Sequence, residues 1–253
     1  MIKPVIKTIK ISAALISLFA FLILLLWFKP QPNFPHHSPR DLPWQLPDFQ
    51  DAKVNMDTLD NGQIHIRIEH LPLDSISPKM VSYFYKVLPV STVSLNGRHM
   101  PLYHIFHPTE HGEIWVEEAA LNGETGMANG ALIKRKEWFG PFNSKGGGRV
   151  LALDEYRLQV RPEMFGLYFG LITHSFEPVG KGTRYTLESI IGSDLPVVGP
   201  LINFYIRKKM FSPEMLKHWA RHQVQEVSSL RFFAAQLFEQ QPDDHHFILN
   251  VSK

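Results

Sequence analysis

Hydrophobic and polar positions alternate along residues 63–70, with Ile64, Ile66 and Ile68 on one side, which predicts a strand with one buried face. The period then lengthens. Ser77-Pro78-Lys79 reads as an N-cap followed by a proline at the first helical position, and Met80, Tyr83, Phe84 and Val87 give the helix to about Leu88 a single apolar face. From 101 to 192 the pattern is mostly strand-like, in segments 102–107, 113–118, 131–138, 149–160, 165–176 and 183–191. Turn-prone residues separate them, among them Gly123, Gly130, Gly146-Gly147-Gly148 and Gly180-Lys181-Gly182. Neither glycine cluster has the spacing of a phosphate-binding loop, so both read as hairpin turns in an antiparallel sheet. Residues 194–210 are apolar first and basic last, which suits a short amphipathic helix near a membrane, a lid, or a connector packed on the core. Ser212-Pro213-Glu214 starts a final helix expected to run to Glu239 or Gln241, before Pro242.

Met215, Trp219, Leu230, Phe233 and Leu237 form the apolar stripe of that helix. His222 and Glu226 fall inside the stripe, about 40° apart at roughly 100° per residue. An imidazole or carboxylate buried alone is costly. A metal ion would satisfy the pair, and so would a hydrogen bond between its members. A curved antiparallel sheet around a long C-terminal helix is an α+β, helix-grip (Bet v 1-like) arrangement, expected over residues 51–253.

Two segments precede that domain. Residues 11–28 are uncharged and bracketed by Lys10 and Lys29. At about 1.5 Å rise per residue they span ~27 Å, which predicts a single transmembrane helix. The run is too long for a signal-peptide core and has no A-x-A cleavage pattern. Lys3, Lys7 and Lys10 place the N-terminus in the cytoplasm and the folded domain on the extracytoplasmic side, periplasmic in a Gram-negative cell. Trp27 and Phe28 read as interfacial residues. Residues 31–50 form a proline-rich, stiff tether in which His36-His37 reads as solvated linker.

Composition narrows the chemistry. The chain has 253 residues and no cysteine, which excludes disulfides, thiolate metal sites and cysteine nucleophiles. The four lysines of residues 1–30 carry the net positive charge, leaving 22 basic against 24 acidic residues beyond them. That balance is no footprint for nucleic acid.

Three constellations carry candidate chemistry. The first is His222-x-x-x-Glu226. The second is the stretch from Tyr103 to His111, with histidines at 104, 107 and 111. Strand alternation puts His104 and His107 on opposite faces. His107-Pro108-Thr109-Glu110-His111 has the letters of the inverted zinc-peptidase motif but lacks the helix that motif needs. The third is Glu137 at a strand end, three residues before Gly140 and flanked by lysines that suit an exposed ion pair.

Taken in order, His107-Pro108-x-x-His111, Glu137-x-x-Gly140 and His222-x-x-x-Glu226 resemble the 2,4-diacetylphloroglucinol hydrolase family over roughly residues 40–241. The Ser77-Pro78-Lys79 helix and the arginine-bearing connector before Ser212 are similar as well. The resemblance implies a helix-grip fold with zinc held by His107, Glu137, His222 and Glu226. His107 is preferred to His111 because it carries the His-Pro pair. Iron or manganese also suits two imidazoles and two carboxylates. The implied reaction is hydrolysis of a carbon–carbon bond beside a ketone in a small hydrophobic acylated phenol. The ion would polarise the ketone, water would add, and protonation of the ring carbon would release the aryl group. Candidate proton donors are His111, Glu110 and Tyr103. The competing expectation is a non-catalytic helix-grip module that binds a lipid or polyketide at the membrane.

Overall fold

The structure is a computed structural model that describes Ser17, Phe21, Leu25, residues 27–164 and residues 166–251. Most of the expected membrane segment, residues 11–28, therefore lies outside the described residues. Among the described residues no helix is long and apolar enough to cross a membrane.

Twelve described strands build two sheets. They are β1 (Lys53–Thr58), β2 (Ile64–Glu69), β3 (Thr92–Leu95), β4 (Arg98–Pro101), β5 (His111–Glu118), β6 (Leu132–Phe139), β7 (Phe142–Asp154), β8 (Arg157–Met164), β9 (Leu167–Tyr168), β10 (Gly170–Val179), β11 (Gly182–Ile191) and β12 (His246–Leu249). The large sheet is antiparallel in the order β1-β2-β11-β10-β8-β7-β6-β5, with β9 paired to β8. Register shifts between His111 and Glu113, between Val116 and Glu118, and between Val150 and Ala152 mark bulges. Bulges raise local twist and help a sheet curve. The small sheet runs β12-β3-β4, with β12 parallel to β3.

Helix α1 (Pro78–Val87) starts as expected: the Ser77 hydroxyl accepts from the Met80 N–H at 3.4 Å, and Pro78 sits at the first position. A one-turn helix, α2 (Tyr103–Phe106), follows β4. The connector forms α3 (Gly199–Tyr205) and a π-helical turn over Ile206–Met210. Helix α4 (Pro213–Ser229) is capped by Ser212, whose hydroxyl accepts from the Met215 N–H at 3.2 Å. A 3-10 turn, Leu230–Phe232, leads into α5 (Ala234–Gln240). The curved antiparallel sheet with C-terminal helices is thus the expected architecture. The core between them takes Ile66 and Ile68 of β2, Phe84 of α1, Phe106, Phe139, Phe176, Tyr185, Val227 and Phe233. Each such large apolar side chain contributes roughly 1.5–3 kcal/mol by leaving water.

The local differences have physical causes. Residues 102–107 are not a strand. Leu102, Tyr103, Ile105 and Phe106 are all buried and His104 alone is part-exposed, which is not a period-two pattern, and the segment closes one helical turn. Gly146-Gly147-Gly148 are not a turn but the middle of β7. A Cβ on Gly147 would lie 2.4 Å from the Ile133 carbonyl oxygen, and one on Gly148 would lie 2.4 Å from Val160 Cγ1. These glycines let neighbouring strands approach where the sheet bends. The last helix is broken at Phe233, whose φ of −144° ends the 3-10 turn.

The proline-rich tether has no strand or long helix, but it is docked. Leu42 is buried, Trp44 stacks on Phe232 at 5.3 Å, and Arg40 donates to the Pro108 carbonyl at 3.0 Å. His36 stays exposed, as expected of the tether, and lays its ring on Trp138 at 4.7 Å and 7°.

Candidate metal centre

Four parts of the chain bring six ionisable side chains into one buried place. Helix α4 presents His222 and Glu226 one turn apart, inward as the stripe requires. The loop after α2 presents His107 and Glu110. Strand β5 begins at His111, whose cross-strand partner on β6 is Glu137. All of these residues are buried.

At the centre, three atoms face each other. His111 Nε2 lies 3.2 Å from His222 Nε2 and 3.1 Å from Glu226 Oε2, and His222 Nε2 lies 3.4 Å from the same oxygen. The other ring nitrogens settle the tautomers. His111 Nδ1 is 2.7 Å from the Tyr103 carbonyl oxygen, which only accepts, so Nδ1 carries the proton. His222 Nδ1 is 2.9 Å from Glu110 Oε2 and carries its proton for the same reason. In the neutral rings both Nε2 atoms therefore turn lone pairs toward a carboxylate oxygen. Three acceptors at this distance repel unless a cation sits among them. Tetrahedral zinc with bonds of ~2.0–2.1 Å holds its ligands about 3.3–3.4 Å apart, close to the triangle found here. The Glu110–His222 and Tyr103–His111 bonds are of the kind that orient histidines in metal sites.

A proton is the other cation that fits. Burial disfavours an imidazolium at His222, but the Glu226 charge, hydrogen bonds to Glu110 and Glu226, and the Glu137 charge push it up to about 9. Burial also opposes ionisation of Glu226, yet the His222 charge and the bonds from His111 and His222 hold it below the ordinary carboxylate range. His111 is held down, chiefly by burial. The cluster thus stores one proton on His222 when no metal is bound.

The structure gives the other expected residues different positions. His107 Nδ1 accepts from the backbone N–H of Glu110 at 3.1 Å and of Thr109 at 3.4 Å. Its proton is on Nε2, which donates to Gln225 Oε1 at 3.2 Å. It stacks on His222 at 4.4 Å and 11°, and it forms a second grouping with Glu110 and His222 whose ligand atoms lie within 4.8 Å of one another. Its one lone pair is spent on the loop, whereas that of His111 is free. Glu137 is buried rather than in an exposed ion pair with lysines. Its oxygens accept from Tyr103 at 2.7 Å and from Arg135. It therefore stands beside the three-atom face, with its charge acting on His111 and His222. Glu110 accepts from Gly140 N–H at 2.8 Å, from Arg221 and from His222. Gly140 makes that bond in the β6–β7 turn at φ +57°, where a Cβ would also strike the His218 ring at 2.5 Å. Tyr103 lies flat on His111, ring centroids 3.6 Å apart.

Four further polar residues in the interior escaped the sequence reading. Tyr85 and Tyr185 hydroxyls meet at 2.5 Å, and Tyr185 meets His174 Nδ1 at 2.6 Å. His70 packs edge-on to Tyr185 at 5.0 Å, and neither of its buried nitrogens has a hydrogen-bond partner. Burial lowers His70 to about 3 and His174 to about 4, so both are neutral. Their only sequence signal is position: His174 and Tyr185 sit on the inward phase of alternating strands.

No protein-family model and no curated protein matches the chain. Solved structures similar to it include protein Ms6760 of Mycobacterium smegmatis, at 11% identity and a TM-score of 0.42 over 70% of this chain and 94% of that one. A START-superfamily protein of Mycobacterium smegmatis is similar at 15% identity and a TM-score of 0.39, over 66% of this chain and 98% of that one. A protein of Arthrobacter aurescens is similar at 13% identity and 0.42, over 76% and 94%. At these values the likenesses bear on no residue of the site.

Proposed function

We propose that this chain is a metal-dependent hydrolase that cleaves a carbon–carbon bond beside a ketone in a small, hydrophobic acylated phenol, as its resemblance to the diacetylphloroglucinol hydrolases implies. The observation that carries the reading is the set of three ligand-type atoms, His111 Nε2, His222 Nε2 and Glu226 Oε2, closing on one point inside the fold. His111, His222 and Glu226 would hold the ion, with Glu137 adjacent as a second carboxylate. Two imidazoles and a carboxylate suit zinc, with iron or manganese as alternatives. When bound, a divalent ion supplies Lewis-acid polarisation of a carbonyl and lowers the pKa of water.

The chain's own groups do the rest. Glu110 and the Tyr103 carbonyl fix the two imidazoles. Tyr103 donates to Glu137 and keeps its proton, because burial and the Glu137 charge raise its pKa well above 10. Of the three candidate proton donors it is the best placed: His111 belongs to the three-atom face, and Glu110 is occupied by three donors. His70, whose ring nitrogens have no partner, would be a buried group free to bond a phenolic hydroxyl. Overall, aryl methyl ketone and water would give the deacylated arene and acetate, with one water proton ending on the ring carbon.

The test is to incubate the purified full chain with mono- and diacetylated phloroglucinols and follow acetate release. Release that a chelator abolishes and added zinc restores supports the reading; release absent with metal-loaded protein sinks it. The second reading is a binding module without chemistry, supported by the proton on His222 that satisfies the cluster with no metal. It predicts phenol binding without turnover.

A further inference from the structure

The connector carries a surface that the candidate metal centre does not use. Leu195, Val197, Leu201 and Phe204 are 52%, 65%, 42% and 47% exposed. Leu201 and Phe204, three apart, share one side of α3, and Leu195 and Val197 are exposed in the turn just before it. The opposite side is pinned. The Asn203 side chain is buried, donates to the Asn61 and Ser193 carbonyls at 2.8 and 2.9 Å, and accepts from the Ser193 N–H at 2.7 Å. Arg207 is hydrogen-bonded to the Gly62 carbonyl. A segment held this way is a fixed platform rather than a swinging lid. Its apolar side is on the order of a few hundred Å², the size at which exposed patches mark contact surfaces.

The chain itself says what covers it. Trp27, next to last in the uncharged run of residues 11–28, stacks on Phe204 at 5.9 Å and 12° and lies under Lys209 Nζ at 4.6 Å. Phe28 beside it is 76% exposed. Lys208 and Lys209 lie at the end of the apolar side, and the charged residue at its other end is Asp194. Apolar side chains, an indole at their edge and lysines next to them match a bilayer interface, where aromatic rings sit at headgroup level and lysines meet anionic phosphates.

We propose that the Leu195–Phe204 face, with Trp27 and Phe28, is seated in the lipid headgroup region, so that the domain rests on the membrane in one orientation rather than hanging on its tether. The proposal rests on reading residues 11–28 as an anchor, and the test separates the two. Because the chain has no cysteine, a single one can be introduced and labelled. The full chain carrying Leu201→Cys, or Val197→Cys should the first fail to fold, is labelled with an environment-sensitive fluorophore. It is then reconstituted into phosphatidylcholine vesicles containing phosphatidylglycerol and nitroxide-bearing lipid. Leu121→Cys, at a fully exposed loop position, is the reference. The expected result is at least twofold stronger quenching at 201 than at 121, reduced by Lys208→Glu. A chain that floats with the vesicles yet quenches equally at both positions overturns the seated face and leaves the anchor standing. A chain that does not float overturns both.

Discussion

Held free of metal, this protein should lose stability as pH rises from 6.5 to 9.5. Without an ion the three facing acceptors are reconciled by a proton on His222, whose folded pKa is pushed up to about 9 against an ordinary 6.5. A group raised on folding stabilises fully below its unfolded pKa and loses that contribution as pH passes through the folded value. Each pH unit is worth about 1.36 kcal/mol, so the full span contributes roughly 3 kcal/mol. The window is clean. His70, His104, His107, His111 and His174 are all lowered, chiefly by burial, so their linkage lies below pH 6.5 and has the opposite sign. Tyr85, Tyr103 and Tyr185 are raised above 10, beyond the window. Urea unfolding of chelator-treated protein at several pH values between 6.5 and 9.5 measures the slope. Glu226→Gln removes the strongest charge acting on His222 and should flatten it. Metal-loaded protein should lose less across the same range, because the ion replaces the proton. A chelated wild type whose stability is flat or rises over this range would refute the proton-holding account of the cluster.

Glu110→Gln removes the carboxylate that orients His222, and metal affinity measured by chelator competition should fall about 10–100-fold. Tyr103→Phe strips a donor from buried Glu137, so thermal unfolding should show a loss of roughly 1–3 kcal/mol while metal content is retained and acetate release falls. Gly140→Ala forces an L side chain into φ +57° and against His218, and should cost on the order of 1–3 kcal/mol in the same assay.

The strand alternation of Ile64, Ile66 and Ile68, the capped starts at Ser77 and Ser212, and the inward aim of His222 and Glu226 were all legible, because each depends on neighbours within about one turn. What was not legible depends on residues distant in sequence. The one-turn helix at Tyr103–Phe106 forms where the rest of the fold buries three of its four side chains. That turn aims the Tyr103 carbonyl at His111, frees His111 Nε2, and leaves His107 serving its own loop. A motif of five letters carries both histidines without telling them apart; the direction of two backbone groups does. The tether's docking through Trp44 and His36 is likewise long-range, and proline content speaks only to local stiffness.

The most direct measurement is metal stoichiometry in purified wild-type protein and in the His111→Ala and His107→Ala variants, each checked for folding by circular dichroism. The account predicts about one zinc-class ion per chain in wild type and in His107→Ala, and loss of it in His111→Ala. No bound metal in wild type, or a metal lost with His107 and kept without His111, would contradict it.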